Sequence, residues 1–347
     1  MRLRAVALVP LLVLVACASA GTEGVAGRLP AHHVPGGGFR NLDPAFSRPS
    51  GWTRWTFILR RSWQTFTAPR AFDAPRVAND GAALRAVPPP AALTWIGHAT
   101  LLVQVDGLAI LTDPQWSERA GPTSWIGPRR LSPPGLPFES LPHVDVVVVS
   151  HDHFDHLDLP TVRRLAATHD PLFLVPLGLK AWFRDNSMGH VEELDWWQEY
   201  EHRGVRFVCV PAQHFSQRSL WDGSRRLWAS WVIAGRERRL YFGGDSGYFD
   251  GFKEAGRRLG PFDVAALAIA AYSPAEIMKA VHTTPEEAVQ AFVDLDARAM
   301  LGIHWGTFDL AEEPLEEPPV RMRADFERRR LDSARAWILK IGETRLW

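Results

Sequence analysis

The chain has 347 residues, 39 basic side chains against 39 acidic ones, and 46% hydrophobic residues. That length and apolar content suffice for a large packed core, and the balanced charge excludes a strong overall field that would gather nucleic acid. With only two cysteines a disulfide framework is excluded as well.

The N-terminus, MRLRAVALVPLLVLVACASA, places Arg2 and Arg4 before an apolar run that is too short to span a bilayer comfortably. This predicts an export signal over residues 1–16. Leu14-Val15-Ala16-Cys17 has the pattern of a bacterial lipobox, after which the Cys17 thiol carries lipid; Ala18-Ser19-Ala20 suits ordinary signal peptidase and remains the alternative. The expected location is the bacterial cell envelope, as a membrane-anchored lipoprotein on the periplasmic face or as a secreted protein. After cleavage Cys209 is the free thiol. Residues 17–45, rich in Gly, Pro and small side chains, read as a flexible tether.

Residues 46–92 form a lead-in with one predicted helix, Thr53 to Phe66, and strands dominate from residue 93 to the C-terminus. Leu93 to Gly97, Leu101 to Val105 and Leu108 to Thr112 alternate or run apolar, and Asp106-Gly107 predicts a hairpin between the last two. Val144 to Val149 is a buried strand. Before it, Ser117 to Pro142 holds six prolines and three glycines and reads as a long loop serving a site. Helices are then predicted at Leu159 to Ala167, Leu177 to Asn186, Tyr248 to Leu259, Pro285 to Leu295 and Val320 to Arg330. Strands alternate with them at Leu172 to Val175, Val205 to Val210, Leu227 to Ile233, Arg238 to Phe242, Val264 to Ile269, Met300 to Ile303 and Ala336 to Leu339. Thr284-Pro285-Glu286-Glu287 has the form of a capped helix start, and two strand-rich halves of similar order are visible. The 15 tryptophans cluster with Pro and Gly, as core or as a wall for apolar ligands.

The chemistry concentrates where the strand Val144 to Val149 ends. Ser150 is followed by His151, His153, Asp155 and His156, four metal-ligating side chains within six residues. Side chains two apart after a strand end can converge on one point; imidazole nitrogen with carboxylate oxygen suits zinc, with iron or manganese as substitutes. One metal could take His151 and His153, a second Asp155 and His156. So short a cluster cannot close two coordination spheres, and His214, Asp245 and His304 each stand just past an apolar strand.

Segments in the same order resemble those of the metallo-β-lactamase superfamily, and within it the N-acyl-phosphatidylethanolamine-hydrolysing phospholipase D branch. They include TWIGHATLLVQVDGLAILTDPQWSERAGP, SHDHFDHLD, QHFSQRSL, GGDSGY and IHWGTFDLA, and the likeness runs from about Thr94 to the C-terminus. The resemblance implies an α/β fold, a four-layer αβ/βα sandwich. It implies two zinc ions per chain: His151, His153 and His214 on one, Asp155, His156 and His304 on the other, Asp245 bridging. It assigns His282 to substrate contact beside the metals, and His98 and Asp113 to orienting ligands and loops. His32, His33, His143, His169, His190 and His202 are expected to have no chemical part. Two departures bear on the substrate: mammalian members carry glutamine where this chain has Val281 and tyrosine where it has Phe154, both beside the head group.

By this resemblance the expected function is a zinc-dependent phosphodiesterase of phospholipase D type. It hydrolyses N-acyl-phosphatidylethanolamine-like phospholipids to phosphatidic acid and N-acylethanolamine by attack of metal-bound hydroxide. Asp155, Asp245 and His282 are the expected catalytic residues, with Phe154 and His282 facing substrate. The expected partners are a phospholipid and, through lipid on Cys17, a membrane surface; a homodimer is left open. A lactonase or phosphoester hydrolase of a small polar substrate is the alternative enzyme, and a metal-bearing envelope protein without turnover the alternative from another class.

Overall fold

A computed structural model describes residues 29–44, 46–86 and 91–347, of which His32–Trp347 belong to one compact unit. The segment expected to be an export signal, the Cys17 position expected to carry lipid and the start of the expected tether lie outside the described residues.

Two helices, α1 (Gly51–Thr67) and α2 (Ala82–Ala86), precede the sheets. The first seven-stranded sheet opens as an antiparallel meander of β1 (Ala91–Gly97), β2 (Thr100–Val105) and β3 (Leu108–Thr112). It continues in parallel through β4 (Val146–Val148), β5 (Leu172–Pro176) and β6 (Val191–Leu194). The second repeats that order. Strands β7 (Glu199–His202), β8 (Val205–Val210), β9 (Ser230–Ala234) and β10 (Arg239–Phe242) are antiparallel; β11 (Phe262–Ala268), β12 (Ala297–Ile303) and β13 (Ala336–Trp337) follow in parallel. A last strand, β14 (Thr344–Leu346), returns to the first sheet and pairs with β1.

Helices α3 (Leu159–Thr168) and α4 (Lys180–Asp185) cover the outer face of the first sheet. Helix α5 (Gly251–Leu259) and, after the short α6 (Ala275–Met278), α7 (Pro285–Asp294) and α8 (Glu317–Arg328) cover the second. The layers are therefore αβ/βα, as expected. Among the described residues no helix is long and apolar enough to cross a membrane.

Local chemistry explains the elements. In the β2–β3 turn Asp106 and Gly107 have φ of 49° and 78°, with Val105 paired to Leu108, so a two-residue turn with both central residues left-handed sets the register. Thr284 and Glu287 make the reciprocal bonds that start α7, and the Ser50 side chain caps α1. Strand β4 and its extension show the period of a strand buried on both faces: Val146 and Val148 enter the core between the sheets, Val147 and Val149 the core under α3 and α4. Each such burial stabilises by about 1.5 to 3 kcal/mol, which anchors the strand end from which the titratable turn departs.

The sheets also meet through specific bonds at that end. Trp231 Nε1 donates to Val149 O at 2.9 Å, and Ala229 N donates to Ser150 O at 2.9 Å. Gly244, after β10, faces Ser150: a Cβ there would stand 2.6 Å from the Ser150 Cβ, and its φ of 55° is left-handed.

The structure corrects several expectations. Strands β6, β7 and β14 were not expected, being short and rich in polar residues; β7 reads Glu-Tyr-Glu-His and lies at a sheet edge. The last strand expected to reach Leu339 stops at Trp337, because the chain turns back to pair with β1. Nor does free tether extend to residue 45. His32 and His33 bond to Asp195, and Asn41 bonds to the His214 backbone, so residues 32–41 lie as a strap on the body.

Candidate metal centre

Every candidate donor stands just beyond a strand. His151, His153, Asp155 and His156 occupy the turn after β4, closed by His156 N and Leu157 N donating to His153 O at 3.1 and 2.8 Å. Asp152 points away from them, its carboxylate accepting from Gln217 N and Arg226 Nη1. His214 follows β8, Asp245 follows β10 and His304 follows β12. Although up to 153 positions separate these residues in sequence, the fold gathers them into two adjoining groups: His151, His153, His214 and Asp245, and Asp155, His156 and His304 with His98. Within each group the candidate ligand atoms all lie within 4.8 Å of one another.

In the first group His153 Nδ1 lies 2.8 Å from His151 Nε2 and 3.2 Å from His214 Nε2. In the second, His156 Nε2 and His304 Nε2 are 3.3 Å apart, and Asp155 Oδ2 is 3.3 and 3.5 Å from them. Asp245 stands between the groups. Its Oδ2 is 3.1 Å from His156 Nε2, 3.8 Å from His214 Nε2 and 3.9 Å from His151 Nε2, while Oδ1 is 3.1 Å from His304 Nε2.

These residues fit a pair of divalent cations. Asp245 Oδ1 is buried and makes no hydrogen bond, although His304 Nε2 stands 3.1 Å away, so the carboxylate keeps an acceptor free toward the centre. Imidazole nitrogens face one another across about 3 Å, the arrangement of ligands converging on a common centre. Burial drives the His151 and His214 imidazoles well below their ordinary pKa and lowers His153, which leaves them neutral, the form that ligates metal. Burial acts the same way on His156 and His304, but the Asp245 and Asp155 carboxylates outweigh it, holding His156 well above the ordinary value and His304 up to about 9. Burial would raise Asp155 and Asp245, yet the surrounding histidines hold both well below the usual carboxylate range. The second group is thus a place where positive charge is strongly favoured.

A second layer of contacts aims the rings. Asp113 Oδ2 pairs with His156 Nδ1 at 2.6 Å and accepts from Ser150 Oγ at 2.6 Å; Ser150 Oγ also lies 2.9 Å from His151 Nδ1. Val281 O accepts from His214 Nδ1 at 2.8 Å, and His98 Nε2 donates to Asp155 Oδ2 at 2.9 Å. Such partners fix tautomer and ring direction. His98, Asp113 and His304 have φ of 53°, 36° and 70°, left-handed conformations that non-glycine residues hold only when their surroundings over-determine them.

His282 lies beside the centre, its Nδ1 3.8 Å from Asp245 Oδ2, and burial pushes its pKa down to about 4. Phe154, in the turn, is covered by the Arg218 guanidinium 4.2 Å from its ring centre, and Arg218 donates to Asp152 O and Leu157 O. The structure adds Ser150 and Asn41, for which the sequence predicts no role. Asn41 accepts from His214 N at 3.1 Å, donates to His214 O at 2.9 Å and accepts from Trp228 Nε1 at 3.1 Å. No local signal marks a residue that acts across 173 positions.

Two mixed seven-stranded sheets inside helical layers, with a histidine and aspartate centre suited to metal at their strand ends, define a protein of the metallo-β-lactamase fold. Residues 109–305 match the Beta-lactamase superfamily domain, and the chain belongs to that superfamily. It is 42% identical over 301 residues to an uncharacterized protein of Mycobacterium tuberculosis, covering 84% of this chain and 78% of that one. It is 45% identical over 228 residues to N-acyl-phosphatidylethanolamine-hydrolyzing phospholipase D 1 of Caenorhabditis elegans, covering 62% of this chain and 64% of the relative. Among solved structures, isothiocyanate hydrolase from Delia radicum gut bacteria superposes with a TM-score of 0.60 at 19% identity, over 74% of this chain and 99% of that one, which shows the shared fold.

Proposed function

We propose that the protein is a phospholipase D-type phosphodiesterase acting on N-acyl-phosphatidylethanolamine-like phospholipids. The observation that carries the reading is the placement of Asp245 between two histidine-rich donor groups, in a chain similar over 228 residues to a relative named for that activity. Two zinc ions are the cofactor the donor chemistry suits best: held by His151, His153 and His214, and by Asp155, His156 and His304, with Asp245 shared, they would acidify a water and neutralise charge on phosphoryl oxygens.

The chain's own groups divide the remaining work. Asp155, ionised and fixed by His98, is placed to accept the proton of the water that attacks phosphorus. As the new P–O bond forms, the bond to the N-acylethanolamine oxygen breaks, and the proton passes to that leaving oxygen. His282 is neutral at pH 7 and offers a ring N–H to the phosphate or to the amide of the head group.

Exposed large apolar side chains favour a lipid substrate. Trp52, Trp55, Ile58, Leu59 and Trp63 on α1, Trp125 and Ile126, and Leu220 and Trp221 are all exposed. Each set is tied to a segment bearing a site residue: Arg61 to Asp309 after His304, Arg130 to Phe308, and Arg218 to the turn after β4. Large rings partly in water are common where proteins meet a membrane interface. Lipid on Cys17 would keep such a face at a membrane, placing the protein in the bacterial envelope; mass spectrometry of the mature N-terminus tests that anchor.

The decisive assay incubates purified, zinc-loaded protein with N-acyl-phosphatidylethanolamine vesicles, with and without chelator. Phosphatidic acid and N-acylethanolamine are expected in equal amounts and are abolished by chelation. If hydrolysis is seen only with soluble esters or lactones, the phospholipid assignment fails while the hydrolase class stands.

A further inference from the structure

Residues 32–41 hold a second convergence of metal-ligating side chains, on the strap rather than at the centre. The strap is a small hairpin: Arg40 N donates to His32 O at 2.9 Å, Val34 N to Gly38 O at 3.0 Å and Gly37 N to Val34 O at 2.9 Å, with His33 bridged to Phe39. This backbone turns two consecutive histidines toward one carboxylate. His32 Nε2 lies 2.6 Å from Asp195 Oδ1, and His33 Nε2 2.7 Å from Asp195 Oδ2. Asp195 follows β6, and its Oδ1 also accepts from Trp196 N at 2.8 Å. The three side chains are only 7%, 18% and 13% exposed. His32 stacks on Trp196 with ring centres 4.3 Å apart, and His33 meets Phe39 edge-on at 5.1 Å.

We propose that His32, His33 and Asp195 form a third, mononuclear site for a divalent cation, which fastens the N-terminal strap to the body. Two imidazoles and one carboxylate are a donor set zinc accepts, with water completing the coordination. The nitrogen–oxygen separations of 2.6 and 2.7 Å are shorter than the 3.1 to 3.9 Å between histidine nitrogens and the Asp245 carboxylate at the main centre, so an ion entering the clasp replaces the two direct His–Asp contacts and parts the side chains further than at the main centre. Aromatic walls exclude bulk water from one side, while the partly exposed His33 leaves an entry on the other. The site would act structurally. Asn41, further along the same strap, holds the backbone of His214, so an ion at this clasp secures the segment that places a ligand of the main centre.

The test counts metal. Wild-type protein and Asp195→Asn are stripped with chelator, reloaded with zinc chloride, freed of excess and measured by inductively coupled plasma mass spectrometry. Circular dichroism checks folding. The expected result is three zinc ions per fully loaded wild-type chain and at least one fewer in Asp195→Asn; a fully loaded wild type that holds no more than two overturns the proposal. Should Asp195→Asn fail to fold, His33→Gln, altered on the strap alone, supplies the same difference. Equal zinc content in wild type and the folded variant overturns the proposal and leaves the trio as a hydrogen-bonded clasp only.

Discussion

The two sheets supply the centre in different ways. The first contributes a single turn, Ser150 to His156, whose four donors share one short stretch of backbone, with Asp113 and His98 of the same sheet's strand ends holding His156 and Asp155. The second contributes three isolated residues, His214, Asp245 and His304, each from a different strand end and each placed by contacts from distant parts of the chain. The scattered residues form a site only because β8, β10 and β12 run in the same direction and end at the same edge of one sheet.

Three substitutions sharpen that contrast. The largest effect is expected from Asp245→Ala, which removes the carboxylate common to both groups. Activity in the phospholipid assay should fall by on the order of a thousandfold or more, with reduced metal content, and near-normal activity would mean that the groups work independently. Next is Asp113→Asn, which leaves every donor in place but weakens the carboxylate's hold on His156 and Ser150. A loss of about 10- to 100-fold in metal affinity or turnover is expected, measured by zinc titration with a competing chelator. Smallest is Asn41→Ala, which frees His214 N, His214 O and Trp228 Nε1 from their partner. Leaving buried polar groups unpaired costs about 1 to 3 kcal/mol, so thermal denaturation should show a lowered midpoint, with metal affinity reduced less than by Asp113→Asn. Restoration by Asn41→Gln would indicate that hydrogen bonding rather than exact reach is required.

The same contrast separates the legible features from the rest. The run Val146 to Val149 and the Asp106-Gly107 turn have signatures within a few residues, and the structure contains both. The capping box at Thr284 to Glu287 is equally local. Grouping His214, Asp245 and His304 with the turn rests on their common position after apolar strands and on the family likeness, and the fold does bring them together. Strands β6, β7 and β14 are not legible because short polar edge strands derive their conformation from the neighbour they pair with. The His32, His33 and Asp195 cluster is hidden for a related reason: a histidine pair in a Gly- and Pro-rich segment resembles solvated loop until Asp195, some 160 residues on, stands against it.

By itself the sequence determined the elements with strong local periodicity and the donor-rich turn, whose side chains are of the types that hold a divalent cation, because each is encoded by neighbours along the chain. Only the tertiary structure decided that Asp245 lies between two donor groups, that Asn41 grips His214 and that the strap closes on Asp195. Those relations depend on distances across the sheets, and such distances exist only after the apolar layers have packed.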